Sequence, residues 1–232
     1  MSSFDHDESL SFAQIAEQLA LEPVMDMTLQ KVAELARDTV PGCDFVGVSI
    51  REGQGRVTTP AATDAKAEQA DNLQYELGEG PALDAIWEGD QNLIEDMSSE
   101  DRWPRWAPLA ADLGIMSVLS TRLATGANVV GGLNLYSLSP HAFSPDSAIT
   151  AHIYATHASA ALTLKTEIVG LGTALQTRHA IGVAQGLLMF RYGLDQESAF
   201  QVLRRLSSHQ NVKLRDIAAH VIDEFKRTGT LA

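Results

Sequence analysis

From Asp146 onward the hydrophobic pattern takes on a helical period and keeps it for about forty residues. A helix that long cannot bury every face inside one small domain, so it separates the segment before it from the segment after it. Along it Leu164, Ile168, Leu171 and Leu175 step by +4, +3 and +4, the seam of a short coiled coil. Gly170 and Gly172 lie within that stretch, each costing about 1 kcal/mol relative to alanine. The expectation is a connector that joins two domains and pairs with a second copy to give a homodimer; the alternative is a lone connector.

The 232 residues are enough for two modest domains, and the charge divides at the connector. Residues 170–232 carry eight Lys/Arg against five Asp/Glu, a surplus of three bases, whereas the rest of the chain is strongly acidic within a total of −13. Regions so different in sign imply different partners. No apolar run approaches the roughly 20 residues needed to span a bilayer. The acidic start MSSFDHDESL lacks the charged-then-apolar pattern of a signal peptide. Cys43 is the only cysteine, which excludes an internal disulfide and a thiolate zinc cage. No membrane association and a cytoplasmic location are expected.

Before the connector, residues 1–8 read as a disordered tail and Ser9–Ala20 as a helix. A second helix is predicted over Val24–Val40, with Met25, Leu29, Val32, Leu35 and Ala36 at helical spacing and Pro41-Gly42 ending it. The period then shortens. Phe45–Ile50 reads as a strand, Glu52–Gly55 as a turn and Arg56–Thr59 as a second extended run, which is hairpin chemistry and therefore antiparallel. A helix is expected from Pro81, since proline suits a first helical turn. Strands are expected at Asn92–Glu95, Ser117–Ala124 and Val129–Tyr136, the last two joined by a Gly-Ala-Asn turn. The fold class is α+β, an antiparallel sheet flanked by helices.

Behind the connector, Gly193 closes the long helix and Asp195 is placed to cap the next. Apolar stripes at Ile181, Ala184, Leu187 and Leu188, at Ala199, Val202, Leu203 and Leu206, and at Leu214, Ile217, Ala218, Val221, Ile222 and Phe225 predict a three-helix module. Its polar faces carry Arg204, Arg205, Lys213 and Arg215. A tight fold of the loop Ser207–Val212 would gather these four cations into a phosphate-attracting cluster; solvated bases on amphipathic helices are the plainer reading. Phe200 and Phe225 are expected in the core. His179, His209 and His220 share no metal-ligand spacing, so no metal site is expected.

The run Ala174-Leu175-x-Thr177-Arg178-x-x-Ile181-x-x-Ala184-x-Gly186-Leu187-Leu188-Met189 resembles the opening motif of the ANTAR domain, the RNA-binding output module of bacterial transcription antiterminators. Ala199-Phe200-x-x-Leu203-Arg204 and Lys213-Leu214-x-Asp216-Ile217-Ala218 match its second and third helices in order. Gln185 departs from the lysine found in many members; it keeps hydrogen-bonding capacity without charge. The resemblance implies a dimeric module that binds paired RNA stem-loops, with Arg178, Gln185, Tyr192, Arg204, Arg205, Lys213 and Arg215 as candidate contacts. Tyr192, at the helix end, is the candidate for stacking on a base, packing being its other reading. Arg178 is open between an RNA contact and a salt bridge across the bundle.

Residues 22–165 resemble a GAF domain, in the strand Cys43–Ile50, Leu77-Gly-Glu-Gly-Pro-Ala-Leu83, Asp101-Arg102-Trp103-Pro104, Gly114-Ile115-x-Ser117-Val118-Leu119 and Gly131-Gly132-Leu133-Asn134-Leu135-Tyr136, with Phe143-Ser144 leading into the exit helix. That resemblance implies a small-molecule sensor whose ligand is unknown. Gly78-Glu79-Gly80-Pro81 lacks the Gly-Lys-Ser/Thr ending of a phosphate loop and has no hydrophobic strand directly before it, so a turn into a helix is expected. Cys43 is read as buried, with a chromophore anchor or redox role as the alternative. Arg102, Trp103, Pro104 and Trp106 either pack or line a pocket lid.

The organisation expected is thus a tail and helix over 1–21, a GAF-like sensor over 22–165, and a connector with an ANTAR module over 166–232. The function expected is signal-responsive RNA binding, in antitermination. The alternatives are duplex-DNA binding through the last two helices, against which the link SSHQNV lacks a tight glycine-containing turn, and ligand sensing without nucleic-acid contact. No Gly-x-Ser-x-Gly, HExxH or Cys/His pairing is present, so no catalytic residue is assigned and no enzyme is expected.

Overall fold

The structure, a computed structural model, describes residues 25–228; the tail over 1–8 and the helix over Ser9–Ala20 lie outside them. The chain separates into two compact units, residues 1–166 and 167–232.

In the first unit, helix α1 spans Met25–Thr39. It stops before Gly42, which turns with φ +86°, where a Cβ would lie 2.2 Å from the carbonyl oxygen of Ala142. Strands β1 (Phe45–Arg51) and β2 (Val57–Ala62) form the expected antiparallel hairpin, with a register shift between Val48 and Ile50. Strand β2 continues beyond Thr59 through Pro60. A proline is tolerated there because β2 is an edge strand, with no neighbour awaiting the missing N–H.

Helix α2 (Ala65–Leu77) has no counterpart in the sequence reading. Its buried face is Ala67, Ala70, Asp71 and Gln74, two small and two polar side chains that leave almost no hydrophobic periodicity to detect. The Asp64 carboxylate caps it, accepting from Lys66 N at 2.8 Å. Helix α3 (Pro81–Trp87) starts on the expected proline. Strand β3 is Gln91–Ile94, and a short helix α4 (Trp106–Asp112), also unforeseen, precedes β4 (Ser117–Thr125) and β5 (Asn128–Ser137). All pairings are antiparallel, in the order β2-β1-β5-β4-β3.

The period-2 alternation of the strands feeds two cores. One sheet face packs Val46, Val48, Leu133 and Leu135 against Val32 and Ala36 of α1 and Tyr154 and Ala158 of the next helix, α5 (Pro145–Tyr192). The Tyr154 hydroxyl, fully buried, donates to the Val32 carbonyl at 2.6 Å. The opposite face packs Phe45, Val118 and Tyr136 against Ala67, Ala70 and Trp106.

The second unit is the predicted three-helix module, made of the end of α5, α6 (Gln196–Gln210) and α7 (Leu214–Thr228). Ala184, Leu188, Ala199, Leu203, Ile217, Ala218 and Val221 form its buried core. Among the described residues, no helix is long and apolar enough to cross a membrane.

Candidate RNA-binding surface and sensor core

Local signals set the ends of the module's helices. Gly193 turns the chain with φ +63°, and the Asp195 carboxylate accepts from Ser198 N at 2.7 Å, a bond that also holds its pKa below the ordinary aspartate value. The connection between α6 and α7 differs from the expected loop over Ser207–Val212. Ser207–Gln210 remain helical, because Asn211 takes the left-handed conformation (φ 52°) at the end of α6 and lets the last carbonyls be capped at once. Val212 N then donates to Ser207 O at 3.1 Å, and Ser207 Oγ donates to Val212 O at 2.6 Å.

Only Asn211–Lys213 separate the two helices, so Arg204 and Arg205 in the last turns of α6 and Lys213 and Arg215 at the start of α7 occupy one end of the module. All four are exposed. Arg215 pairs with its neighbour Asp216 at 3.4 Å, a surface contact worth little. Among the described residues Arg204, Arg205 and Lys213 form no ion pair within 4 Å. The same turn corrects the objection to a helix-turn-helix: the tight turn exists, with asparagine doing what glycine does elsewhere.

Arg178 is exposed on α5 and makes no salt bridge across the bundle to any described residue. Gln185 is half-buried and donates from Nε2 to the Gln196 carbonyl at 3.2 Å, tying α5 to the first turn of α6. Tyr192 is 61% exposed, and Phe190, which the sequence reading passed over, is 74% exposed. The Arg191 guanidinium stands 5.8 Å from the Tyr192 ring centre and 5.1 Å from that of Phe225. Phe225, half-buried, packs against the core as expected, whereas Phe200 is half-buried without joining that cluster. His179, His209 and His220 are exposed, and no cluster able to hold a metal occurs among the described residues.

The first unit keeps its polar chemistry inside. Asp71, fully buried on α2, lies so close over β1 that a Cβ at Gly47 would be 2.2 Å from its Oδ2. Its carboxylate accepts from the Tyr136 hydroxyl, from Asn134 Nδ2 at 2.8 Å and from Thr59 Oγ1 at 2.8 Å. A chain of hydroxyls closes the ring: Asn134 Nδ2 donates to Ser49 Oγ at 2.7 Å, Ser49 meets Tyr75 Oη at 2.6 Å, and Tyr75 meets Thr59 at 2.7 Å. Each hydroxyl has one proton to give. With Asp71 ionised, one assignment uses them all: Ser49 to Tyr75, Tyr75 to Thr59, Thr59 to Asp71. Burial nevertheless pushes the Asp71 carboxyl up to about 7, against the hydrogen bonds from Tyr136, Thr59 and Asn134 that pull it down. Ser120 Oγ and Asn134 Oδ1, paired in register on β4 and β5, are buried without a hydrogen-bond partner among the described residues.

No member of this ring stood out in the sequence. The available signal was Asn134 inside Gly-Leu-Asn-Leu-Tyr, a polar residue at a buried strand position, two residues from Tyr136 and so on the same face.

The segment Gly78–Pro81 is the expected turn. Gly78 ends α2 with φ +68°, Gly80 has φ +146°, and Pro81 opens α3. The side chains here bind protein: Gln74 Oε1 accepts from Ala82 N at 2.8 Å, and Glu79 Oε1 accepts from Arg105 N and Trp106 N at 2.7 and 3.0 Å. Trp103 and Trp106 pack edge to face and are buried, each ring N–H donating at 2.9 Å, to Asp84 and to the Ala70 carbonyl respectively. Cys43 is half-buried, its Sγ donating to the Phe45 carbonyl at 3.5 Å, and burial pushes its thiol up to about 12.

Residues 24–163 match the family model described as GAF domain, and residues 170–222 match that described as ANTAR domain. No curated protein matches the chain. Among solved structures it is similar to the chromophore-binding domain of the bacteriophytochrome RpBphP3 from R. palustris, at 11% identity and a TM-score of 0.52, covering 72% of this chain and 64% of that one. It is also similar to a longer structure of RpBphP3, at 12% identity and a TM-score of 0.58, covering 85% and 46%. The GAF domain of a phosphoenolpyruvate-protein phosphotransferase from Coxiella burnetii is similar at 16% identity and a TM-score of 0.55, covering 70% and 96%. The chain spans less than two thirds of the two bacteriophytochrome structures, and at these identities the likeness shows the fold alone. The chain therefore belongs to the GAF domain family and carries an ANTAR domain behind it, a regulator of the general kind that couples a small-molecule-sensor domain to an RNA-binding domain.

Proposed function

We propose that the chain is a signal-responsive transcription antiterminator. Its unit over 166–232 binds paired RNA stem-loops and holds them against formation of a terminator hairpin. Its unit over 22–165 senses a small molecule. The observation that carries this reading is the coincidence of the ANTAR match with a helical module whose exposed Arg178, Arg204, Arg205 and Lys213 have no ion-pair partner among the described residues. Such bases are available to phosphates. The protein acts by binding, without turnover, in the cytoplasm where transcripts are made.

Pairing of two copies through the connector is part of the same proposal. Leu164, Ile168, Leu171 and Leu175 are 55–72% exposed, a stripe that a second helix would cover. Ligand occupancy regulates RNA capture by binding one connector geometry better than another. Sedimentation of a Leu171→Asp/Leu175→Asp variant tests the pairing; an unchanged dimer would remove it.

Duplex DNA is the second reading, favoured by the tight α6–α7 turn. A gel shift comparing a two-hairpin RNA with duplex DNA decides between them. Preference for the RNA is expected, and preference for the duplex would overturn the antitermination reading.

A further inference from the structure

Besides its charged end, the ANTAR unit has a cleft of about 470 Å³ between the end of α5, α6 and α7, within the roughly 300–1,000 Å³ range of sites that take small ligands. Its floor is the nearly buried pair Leu188 and Val221. Val202 and Leu206 of α6 form one wall and Phe225 of α7 another, while Arg191, Tyr192 and Glu224 stand at the rim. The Arg191 guanidinium is 5.1 Å from the Phe225 ring centre and 5.8 Å from that of Tyr192.

Shape and charge together select the occupant. Apolar walls with a guanidinium and two aromatic rings at hand suit a flat π-face, which stacks on both. Arg191 and Glu224 offset each other, so the cleft offers no net attraction to a phosphate, yet the Arg191 guanidinium can bond the polar edge of a heterocycle. Phosphates have better partners on the outer faces of the same helices, since Arg204 is two residues from both wall residues Val202 and Leu206, and Arg227 is two residues beyond Phe225, a spacing that turns a helical side chain away from the cleft. The arrangement therefore separates the two parts of a nucleotide, base inward and phosphate outward.

We propose that this cleft is a base-binding pocket that takes one unpaired RNA loop base, stacked on Tyr192 and beneath Arg191. The proposal rests on the RNA-binding reading and deepens it. The exposed bases hold the backbone, while the cleft senses whether the loop can splay a base into it.

The test uses the full chain and an RNA selected on it from a pool of two-hairpin RNAs with randomised loops. Each loop position is then made abasic in turn. One position is expected to lose about 10- to 100-fold in affinity. Tyr192→Ala and Arg191→Ala, substitutions at exposed positions with folding checked by circular dichroism, are expected to lose a similar factor on the intact RNA and little further on the abasic one. If both variants retain the wild-type ratio between intact and abasic RNA, the pocket is not a base site. If wild type selects no hairpin RNA at all, the underlying RNA reading fails instead. Conversion of Tyr192→Ala from dimer to monomer in sedimentation would assign the cleft to a second copy and overturn the proposal.

Discussion

The two units spend their polar residues in opposite ways. The GAF unit buries a carboxylate, two amides and several hydroxyls against its sheet, whereas the ANTAR unit buries an all-apolar core and keeps its charges in solvent. Buried polar groups must be satisfied by neighbours held in place, so the first arrangement demands rigid and specific geometry. Exposed bases need only a fold that gathers them. One unit is therefore expected to be sensitive to small internal changes, and the other to changes of surface charge.

The largest effect expected on that contrast comes from reversing Arg204, Arg205, Lys213 and Arg215 together. Hairpin RNA affinity should fall about 100- to 1,000-fold, while the helical circular dichroism melt stays the same because none of the four supports the core. A melt that collapses in parallel would mean the surface is structural after all.

Next is Gly47→Ala in the first unit. The added Cβ must displace either β1 or the Asp71 carboxylate, at a cost of about 3 kcal/mol. The chain's three tryptophans, Trp87, Trp103 and Trp106, all lie in the GAF unit, so their fluorescence in urea reads that unit's unfolding. An unchanged midpoint would show that the sheet accommodates the methyl without losing the network.

A smaller effect is expected from pH. Asp71 has its folded pKa raised to about 7, so between the ordinary aspartate value and 7 the folded state holds a proton that the unfolded chain has released. Stability of the GAF unit should therefore fall as pH rises through that window, by at most about 1.4 kcal/mol per pH unit, and level off above it. Asp71→Asn should flatten the dependence between pH 5 and 7 in the same tryptophan-detected unfolding. A slope that survives the substitution would place the titrating group elsewhere.

Smallest is Lys213→Ala. Removing one phosphate contact should reduce the slope of log affinity against log salt by about 0.7 for single-stranded RNA, with a change of only a few-fold at moderate salt. The fragment 166–232 sharpens the same point: freed of the acidic unit, it should bind RNA at low salt at least as tightly as the whole chain at matched dimer concentration. Weaker binding by the fragment would rule out electrostatic restraint by the acidic unit.

The strands β1, β4 and β5 were legible as short apolar runs bounded by turn residues, buried on both faces, and the three C-terminal helices because each carries one apolar stripe. Helix α2 was not, since Ala67, Ala70, Asp71 and Gln74 form its buried side and none of them marks a stripe. The loop over Ser207–Val212 was misjudged because a left-handed asparagine ends a helix as abruptly as glycine while leaving a weaker trace in the sequence. Tyr192 and the basic residues could be chosen by type and position, but the engagement of Gln185 with the Gln196 carbonyl depends on how α6 returns to α5.

By itself the sequence determined where the chain changes period, which faces are apolar, where helices start and stop, and how charge divides between the halves. These are local properties, written in neighbours three or four positions apart. The ring around Asp71 was decided only by tertiary structure, which brings together Ser49, Thr59, Asp71, Tyr75, Asn134 and Tyr136 from three strands and a helix. So was the cleft beside Phe225, whose lining comes from three helices. Both depend on contacts between distant segments, and no local pattern records which polar residue will meet which once the backbone has closed.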